Sequence, residues 1–104
     1  MGDYPANAIG PVYWDAPKHP GSVVEYEFDW ALELAQFDPV DTISSFVITP
    51  DAGITVDSSL QAGASVLPTL SGGTDGSDYN VECEIGTAGG RTLKKTGRLR
   101  VRVR

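Results

Sequence analysis

The sequence predicts an all-β domain, a small antiparallel β-sandwich of about seven strands. From Val24 onwards, apolar and polar residues alternate with a period of two, as strands with one buried and one solvent-exposed face require. Clusters of Gly, Pro and Asp separate these alternating runs and are typical of turns. The chain has 104 residues, which is enough for one domain with one modest core.

The first 21 residues predict an extended arm rather than a helix or a central strand. They contain prolines at positions 5, 11, 17 and 20, and proline lacks a backbone N–H and fixes φ. The predicted division is therefore an arm at residues 1–21 and a β-sandwich at residues 22–104. Tyr4, Tyr13 and Trp14 are the candidate partner contacts, because a purely solvated linker has little use for aromatic rings. Docking on a neighbour and folding back on its own domain both remain open.

The alternating runs place the strands along the rest of the chain. In residues 24–30, aromatic and apolar residues alternate with acids, which predicts the first strand. Residues 31–37 predict at most one helical turn. Further strands are predicted at residues 41–49, 54–59, 65–70, 79–85 and 91–104. Pro68 lies within one of these runs and predicts an edge strand or a bulged strand there.

The charges are distributed unevenly along the chain. All 14 acidic residues lie at or before Glu84, and seven of the 8 basic residues lie at or after Arg91. A basic last strand can contact phosphates, or it can pair with acidic neighbouring strands. The sequence favours the second interpretation, because the preceding strand and the first strand carry acids and the net charge of −6 repels a polyanion. A nucleic-acid partner is therefore not expected.

Lys95 interrupts the pattern of the last strand. Strict alternation would turn its ammonium group inward with Leu93 and Leu99. The sequence therefore predicts a bulge or another irregularity over residues 94–97.

The residue types that carry chemistry are scarce. The single histidine, His19, lies in a proline-flanked loop and is expected to be solvent-exposed. The single cysteine, Cys83, alternates with core residues, so it is expected to be a buried and inert thiol. No catalytic, cofactor-binding or metal-binding residues are predicted, and an enzyme is not expected. The sequence also has no membrane-spanning run and no signal-peptide pattern, which predicts synthesis in the cytoplasm.

The stretch LSGGTDGSDY at residues 70–79 is the one loop that suggests a site. It lacks the lysine of a phosphate-binding loop, and Asp75 and Asp78 do not have the spacing of an EF-hand. The preferred interpretation is a turn between two strands. Tyr79 is predicted to reach back to the loop backbone, as a tyrosine corner does.

Two long stretches resemble a family of small tailed-bacteriophage virion proteins. They are VVEYEFDWALELAQFDPVDTISSFVITPDAGITVDSS and LSGGTDGSDYNVECEIGTAGGR, and the resemblance covers residues 23–103. It identifies the chain as similar to the phage fibre-tail adaptors, small proteins with an immunoglobulin-like fold.

The resemblance implies a structural protein of the virion, located in the phage tail and made in the host cytoplasm. Several copies would join the tail or connector to fibres or to a neighbouring ring, with other virion proteins as partners and no cofactor. Two alternatives remain, a capsid decoration protein and a carbohydrate-binding module. For the latter, Tyr4, Tyr13 and Trp14 would be the contact residues.

Overall fold

A computed structural model describes residues 12–14 and 16–103 of the chain. Within these residues lie eight strands and one five-residue helix, α1 (Ala31–Ala35). The strands are β1 (Val12–Tyr13), β2 (Val24–Glu25), β3 (Phe28–Asp29), β4 (Ile43–Pro50), β5 (Ile54–Ala62), β6 (Ser65–Gly72), β7 (Asp78–Thr87) and β8 (Thr92–Arg100). No helix in this part of the chain has the length and apolarity needed to cross a membrane.

The strands form two sheets that enclose the core between them. Sheet 1 has the order β1-β8-β7-β4, and sheet 2 has β6 at its centre, with β5 on one side and β2 and β3 on the other. All pairs are antiparallel except β1 with β8. The buried apolar residues come from both sheets and from α1. The all-β sandwich predicted from the sequence is confirmed.

Pro68 lies in the central strand of sheet 2, so the predicted edge position is wrong. Strands β2 and β3 pair with β6 in one continuous register and are separated only opposite this proline. The Tyr26 N–H donates to the Pro68 carbonyl at 2.8 Å, but Pro68 has no N–H to return the bond. The alternative prediction of a bulge has a counterpart in β5, where the register shifts between Val56 and Ser58.

The last strand is regular, so the bulge predicted at residues 94–97 is wrong. Strands β7 and β8 pair without a register shift from Asp78 opposite Arg100 to Gly86 opposite Thr92. Lys95 therefore does point inward, and its side chain is only 6% exposed. A buried partner, described below, removes the need for an irregularity.

The acidic partners of β8 are only partly those predicted. Lys94 lies 3.9 Å from Glu84 of β7, and Arg102 lies 2.9 Å from Asp78. These contacts agree with the predicted pairing between the last two strands. The acidic run of β2 and β3, however, belongs to sheet 2, so its carboxylates do not lie beside β8.

The described part of the N-terminal segment packs on its own domain. Strand β1 runs parallel to β8, with Tyr13 opposite Arg98, and Lys18 forms a bridge to Val101. The sandwich therefore includes residues on the N-terminal side of position 22. Tyr4 lies outside the described residues.

Candidate functional site

The glycine-rich loop predicted as a turn organises one end of the sandwich, which we call the glycine-loop end. The Gly73 N–H donates to the Gly53 carbonyl at 2.9 Å, and the Gly76 N–H donates to the Val101 carbonyl at 2.9 Å. The Thr74 N–H donates to the Tyr79 hydroxyl at 2.9 Å. The predicted tyrosine corner is therefore confirmed.

Gly73 is required at its position in this loop. Its φ of 98° lies in the region that favours glycine. A Cβ atom there would also lie 2.6 Å from Cγ2 of Val101. The loop thus approaches the last buried residue of the core too closely for any side chain.

The two acids of the loop hold the C-terminal residues in place. Asp75 Oδ1 accepts a hydrogen bond from the Val103 N–H at 2.9 Å, and Asp78 Oδ1 accepts one from Arg102 at 2.9 Å. Among the described residues, no group of three or more His, Cys, Asp or Glu side chains is arranged to hold a metal ion. The loop is a structural joint between the two sheets and the end of the chain.

Lys18 is buried at the same end, and sequence reasoning did not find it. It is 2% exposed, and its Nζ donates to the carbonyls of Gly72 at 2.8 Å and His19 at 2.9 Å. Burial lowers the pKa of Lys18, and the nearby Asp57 carboxylate opposes that shift. The one available signal was its isolation, because no other lysine or arginine precedes Arg91. His19 itself is exposed, as predicted.

The opposite end, which we call the helix end, contains α1, residues 36–42 and the hairpin at residues 88–91. Asp41 Oδ2 lies 2.7 Å from Arg91 Nη1, and Asp41 Oδ1 accepts hydrogen bonds from the N–H groups of Thr42 and Gly89. The Thr87 hydroxyl, followed by the Arg91 guanidinium and these N–H groups, holds the pKa of Asp41 well below its ordinary value. The carboxylate therefore ties the hairpin to the start of β4.

A shallow pocket of about 400 Å³ opens beside this ion pair. It is lined by Pro39, Val40, Asp41, Thr42, Ala88, Gly89 and Arg91. Val40 and Leu32, both at this end, are each 62% exposed. The charges of Asp41 and Arg91 satisfy each other, so the pocket presents apolar side chains and backbone groups beside a neutralised ion pair.

Between the sheets, Lys95 forms a buried ion pair with Glu33 of α1. The Lys95 Nζ lies 2.5 Å from Glu33 Oε2, donates to the Asp29 carbonyl at 2.8 Å, and lies 4.7 Å from the centre of the Trp30 ring. Glu33 is 2% exposed. The pair fixes the short helix to β8 of the opposite sheet.

Cys83 lies in the core next to this pair, where it is 0% exposed. Burial raises the pKa of its thiol to about 11, although the Trp30 indole and the Lys95 ammonium oppose the shift. A thiol with such a pKa is almost entirely protonated at neutral pH, so it is a poor nucleophile. The predicted burial of this thiol is confirmed.

Trp14, one of the candidate contact residues, packs against its own domain. Its ring lies 4.6 Å from the Tyr26 ring and 5.4 Å from the Phe28 ring, and its Nε1 donates to the Glu27 carbonyl at 3.4 Å. A Cβ atom at Gly97 would lie 2.3 Å from the Trp14 ring, so the glycine makes room for it. The indole closes the side of the sandwich between β8 and the β2–β3 run.

The other lateral side of the sandwich carries the surface that the sequence did not predict. Residues 57–62 of β5 are exposed on both faces, although every residue of the strand except Asp57 has a partner in β6. We call residues 58–62, with the sequence SSLQA, the β5 edge. They contain no charged residue and no proline, which are the usual protections of an edge strand. That absence was the sequence signal available.

The other sheet edges formed by the described residues are protected. Strand β1 has two residues, and the β2–β3 run is interrupted and acidic. Strand β4 has a register shift between Ile43 and Ser45 and ends at Pro50. Short strands, charges, bulges and proline are all devices that prevent edge pairing. Strand β5 has its own register shift, between Val56 and Ser58, but the five residues beyond it pair regularly with β6 and contain neither a charge nor a proline, so the β5 edge can pair with another strand.

Comparison with known proteins identifies the family. No curated protein matches the chain. Residues 18–100 match the family described as "Podophage GP4 fiber-tail adaptor protein gp77". The match begins at the buried Lys18 and ends at the last residue of β8, so it covers nearly all of the sandwich. The chain therefore belongs to this podophage fibre-tail adaptor family, whose members have a structural role in the virion.

Proposed function

We propose that the protein is the adaptor that joins the phage tail or its connector to the fibres or to a neighbouring ring. The observation that carries this proposal is the family match over residues 18–100. The distribution of groups in the sandwich supports it. The acids of the glycine-rich loop, the buried thiol and the two buried lysines all serve internal contacts. Exposed apolar side chains and the β5 edge remain for contact with other proteins.

We assign the helix end to contact with another protein of the virion. Val40, which lines the shallow pocket, and Leu32 of α1 are both exposed at this end. Exposed apolar surface beside a concave region is typical of protein contacts. Tyr4 and Tyr13 are proposed as additional contacts of the N-terminal segment.

The test is the composition and appearance of purified virions. Mass spectrometry should detect the protein in mature particles, and reconstruction of the tail should place it between the tail and the fibres. A phage that lacks the gene should assemble filled heads whose tails carry no fibres. Absence from mature particles would refute the proposal.

Two readouts separate the alternatives, the location of the protein in the particle and its binding to glycans. A decoration protein would lie on the capsid surface, and its loss would weaken heads without removing fibres. A carbohydrate-binding module would bind glycans as an isolated protein. Trp14 is half-buried between Tyr26, Phe28 and Gly97, so its ring is not a free platform for a sugar.

A further inference from the structure

We propose that two copies of this protein pair through the β5 edge, strand against antiparallel strand, about a two-fold axis at Leu60. The inference deepens the proposed function, on which it rests for its setting in the particle, where several copies would lie close to one another.

The register shows which backbone groups face outward. The Tyr26 N–H donates to the Pro68 carbonyl, so the backbone of Pro68 faces the β2–β3 run and that of its neighbour Leu67 faces β5. Leu60 is the partner of Leu67, and its N–H and C=O therefore face β6. Because these groups alternate along an antiparallel strand, Ser59 and Gln61 direct their N–H and C=O groups to the open side.

A second copy satisfies these groups in one symmetric register. If Leu60 lies opposite Leu60 of the second copy, Ser59 of each copy lies opposite Gln61 of the other. Each of these two pairs then exchanges two backbone hydrogen bonds, as antiparallel hydrogen-bonded pairs do. The two Leu60 residues form the intervening non-bonded pair, in which the side chains are closest.

The side chains agree with this register. Leu60 is 49% exposed and shares the outer face of sheet 2 with its partner Leu67. Pairing about Leu60 joins these residues of both copies into a row of four leucines. Burial of the exposed leucine surface is favourable by about 25 cal/mol per Å².

The β5 edge itself carries no charge that would oppose a second copy. Each copy has a net charge of −6, but residues 58–62 are uncharged. In the proposed register Asp57 lies opposite Gly63 of the second copy, so no carboxylate faces another directly across the strands. Two copies can thus approach at the β5 edge without a like-charge pair, which would be destabilising.

This contact is small, so its affinity for one pair in solution should be low. Stable interfaces bury about 1,200–2,000 Å² in total, and a pair of five-residue strands buries less. In a particle, repetition and tethering raise the effective concentration and compensate for a weak single contact. The experiment must therefore trap a transient pair.

Single cysteines on the outer face of β5 provide that trap. In the proposed register the Cα atoms of the two Leu60 residues are about 4.5 Å apart, within the range of about 4.4–6.8 Å that a disulfide needs. The full-length Leu60→Cys variant should form a disulfide-linked dimer on mild oxidation. Cys83 is completely buried and does not need to be replaced.

Ser58→Cys and Ala62→Cys are the matched controls on the same face of the same strand. In the proposed register each would lie roughly 14 Å from its own copy across the axis, too far for a disulfide. The double variant Ser58→Cys/Ala62→Cys should crosslink, because position 58 lies opposite position 62. Equal crosslinking of all three single variants would overturn the proposed register, and the absence of dimer with Leu60→Cys would overturn the pairing.

Salt and a charge substitution give an independent readout. Association of the wild-type chain, followed by sedimentation, should strengthen when ionic strength rises from about 0.15 M to 1 M. The Debye length then falls from about 8 to 3 Å, which screens the repulsion between copies. Leu60→Lys should abolish association and leave the melting temperature nearly unchanged. Association that weakens with salt, or persists in Leu60→Lys, would contradict the proposal.

The outcomes distinguish this inference from the adaptor function. If another virion protein occupies the β5 edge, Leu60→Lys will reduce incorporation into particles but Leu60→Cys will give no homodimer, which overturns self-pairing alone. If the chain is absent from virions, the adaptor function fails whatever the crosslinking shows.

Discussion

The two buried lysines stabilise different parts of the sandwich, and their ammonium groups are held by different kinds of partner. Lys95 lies between the sheets and is paired with the Glu33 carboxylate. Lys18 lies at the glycine-loop end and is held by backbone carbonyls, those of His19 and Gly72 being the closest. Deep between the sheets, a full counter-charge offsets the desolvation of an ammonium group. At the end of the sandwich, carbonyl dipoles suffice.

The two lysines also join different parts of the chain. Lys95 connects the short helix to the opposite sheet, so it stabilises the sandwich as a whole. Lys18 connects the N-terminal segment to the loop that precedes β7, so it stabilises one end. Their substitutions are therefore expected to differ both in size and in extent.

The largest effect is expected when the counter-charge of Lys95 is removed. Glu33→Gln leaves a buried ammonium group beside a neutral amide, and loss of one partner of a buried pair costs about 3–5 kcal/mol. The free energy of unfolding should fall by that amount in urea titrations followed by tryptophan fluorescence. Maleimide labelling of Cys83 should become faster, because the core opens more often.

The double variant Glu33→Gln/Lys95→Met is the control for this experiment. It removes both charges and leaves no uncompensated ion in the core, so it should be more stable than Glu33→Gln alone. A Glu33→Gln variant as stable as the wild-type protein would show that the ion pair does not stabilise the sandwich.

A smaller and local effect is expected for Lys18→Met. The substitution keeps the aliphatic stem but leaves the Gly72 and His19 carbonyls without their donor, which costs about 1–3 kcal/mol. Amide exchange should accelerate at Arg102, whose N–H donates to the Lys18 carbonyl, while the centre of β7 stays protected. Lys94→Met is the matched control, since the Lys94 side chain is 59% exposed, and it should change little.

Features that depend on neighbouring residues could be predicted from the sequence, whereas the burial of the two lysines could not. The strands and turns were predictable because alternation and Gly, Pro and Asp clusters act over a few residues. The tyrosine corner was predictable because Tyr79 and Thr74 are only five residues apart in the chain. The sequence does not predict the inward position of Lys95, because its partner Glu33 lies in a helical turn far away in the chain. The burial of Lys18 depends in the same way on the remote Gly72 carbonyl.

The surfaces were harder to predict than the fold. Trp14 looks like an exposed contact residue until Gly97, far along the chain, is placed beneath its ring. The β5 edge was hidden because nothing in residues 58–62 indicates which neighbouring strands are present. Pro68 was not expected in a central strand. The sheet tolerates the loss of one ladder hydrogen bond there because its other neighbour, β5, remains paired.

The stability of the helix end in acid depends on Asp41, whose carboxylate pairs with Arg91. The pKa of Asp41 in the folded protein lies below the ordinary value of 3.8. Its contribution to stability is therefore fully present above that value and is lost as the pH falls from it toward the folded pKa. Asp41→Asn should be less stable than the wild-type protein at pH 7, and the difference should shrink below pH 3.8.

Urea titrations of both proteins across the acidic range measure that difference. Asp51→Asn is a suitable comparison, because Asp51 is exposed and accepts a single backbone hydrogen bond from Asn80. A difference between wild type and Asp41→Asn that stays constant with pH would show that the carboxylate is not stabilised by its charge.

The smallest effect is expected for Tyr79→Phe at the glycine-loop end. The substitution removes the hydroxyl that accepts the Thr74 N–H but keeps the ring, whose Cε1 would lie 3.0 Å from a Cβ atom at Gly53. The melting temperature should fall by only a few degrees, because the exposed Thr74 N–H can bond water instead. Tyr26→Phe is the matched control, because the Tyr26 hydroxyl forms no such bond to the backbone of the described residues. If both variants melt at the same temperature, the hydrogen bond from Thr74 to Tyr79 does not stabilise the loop.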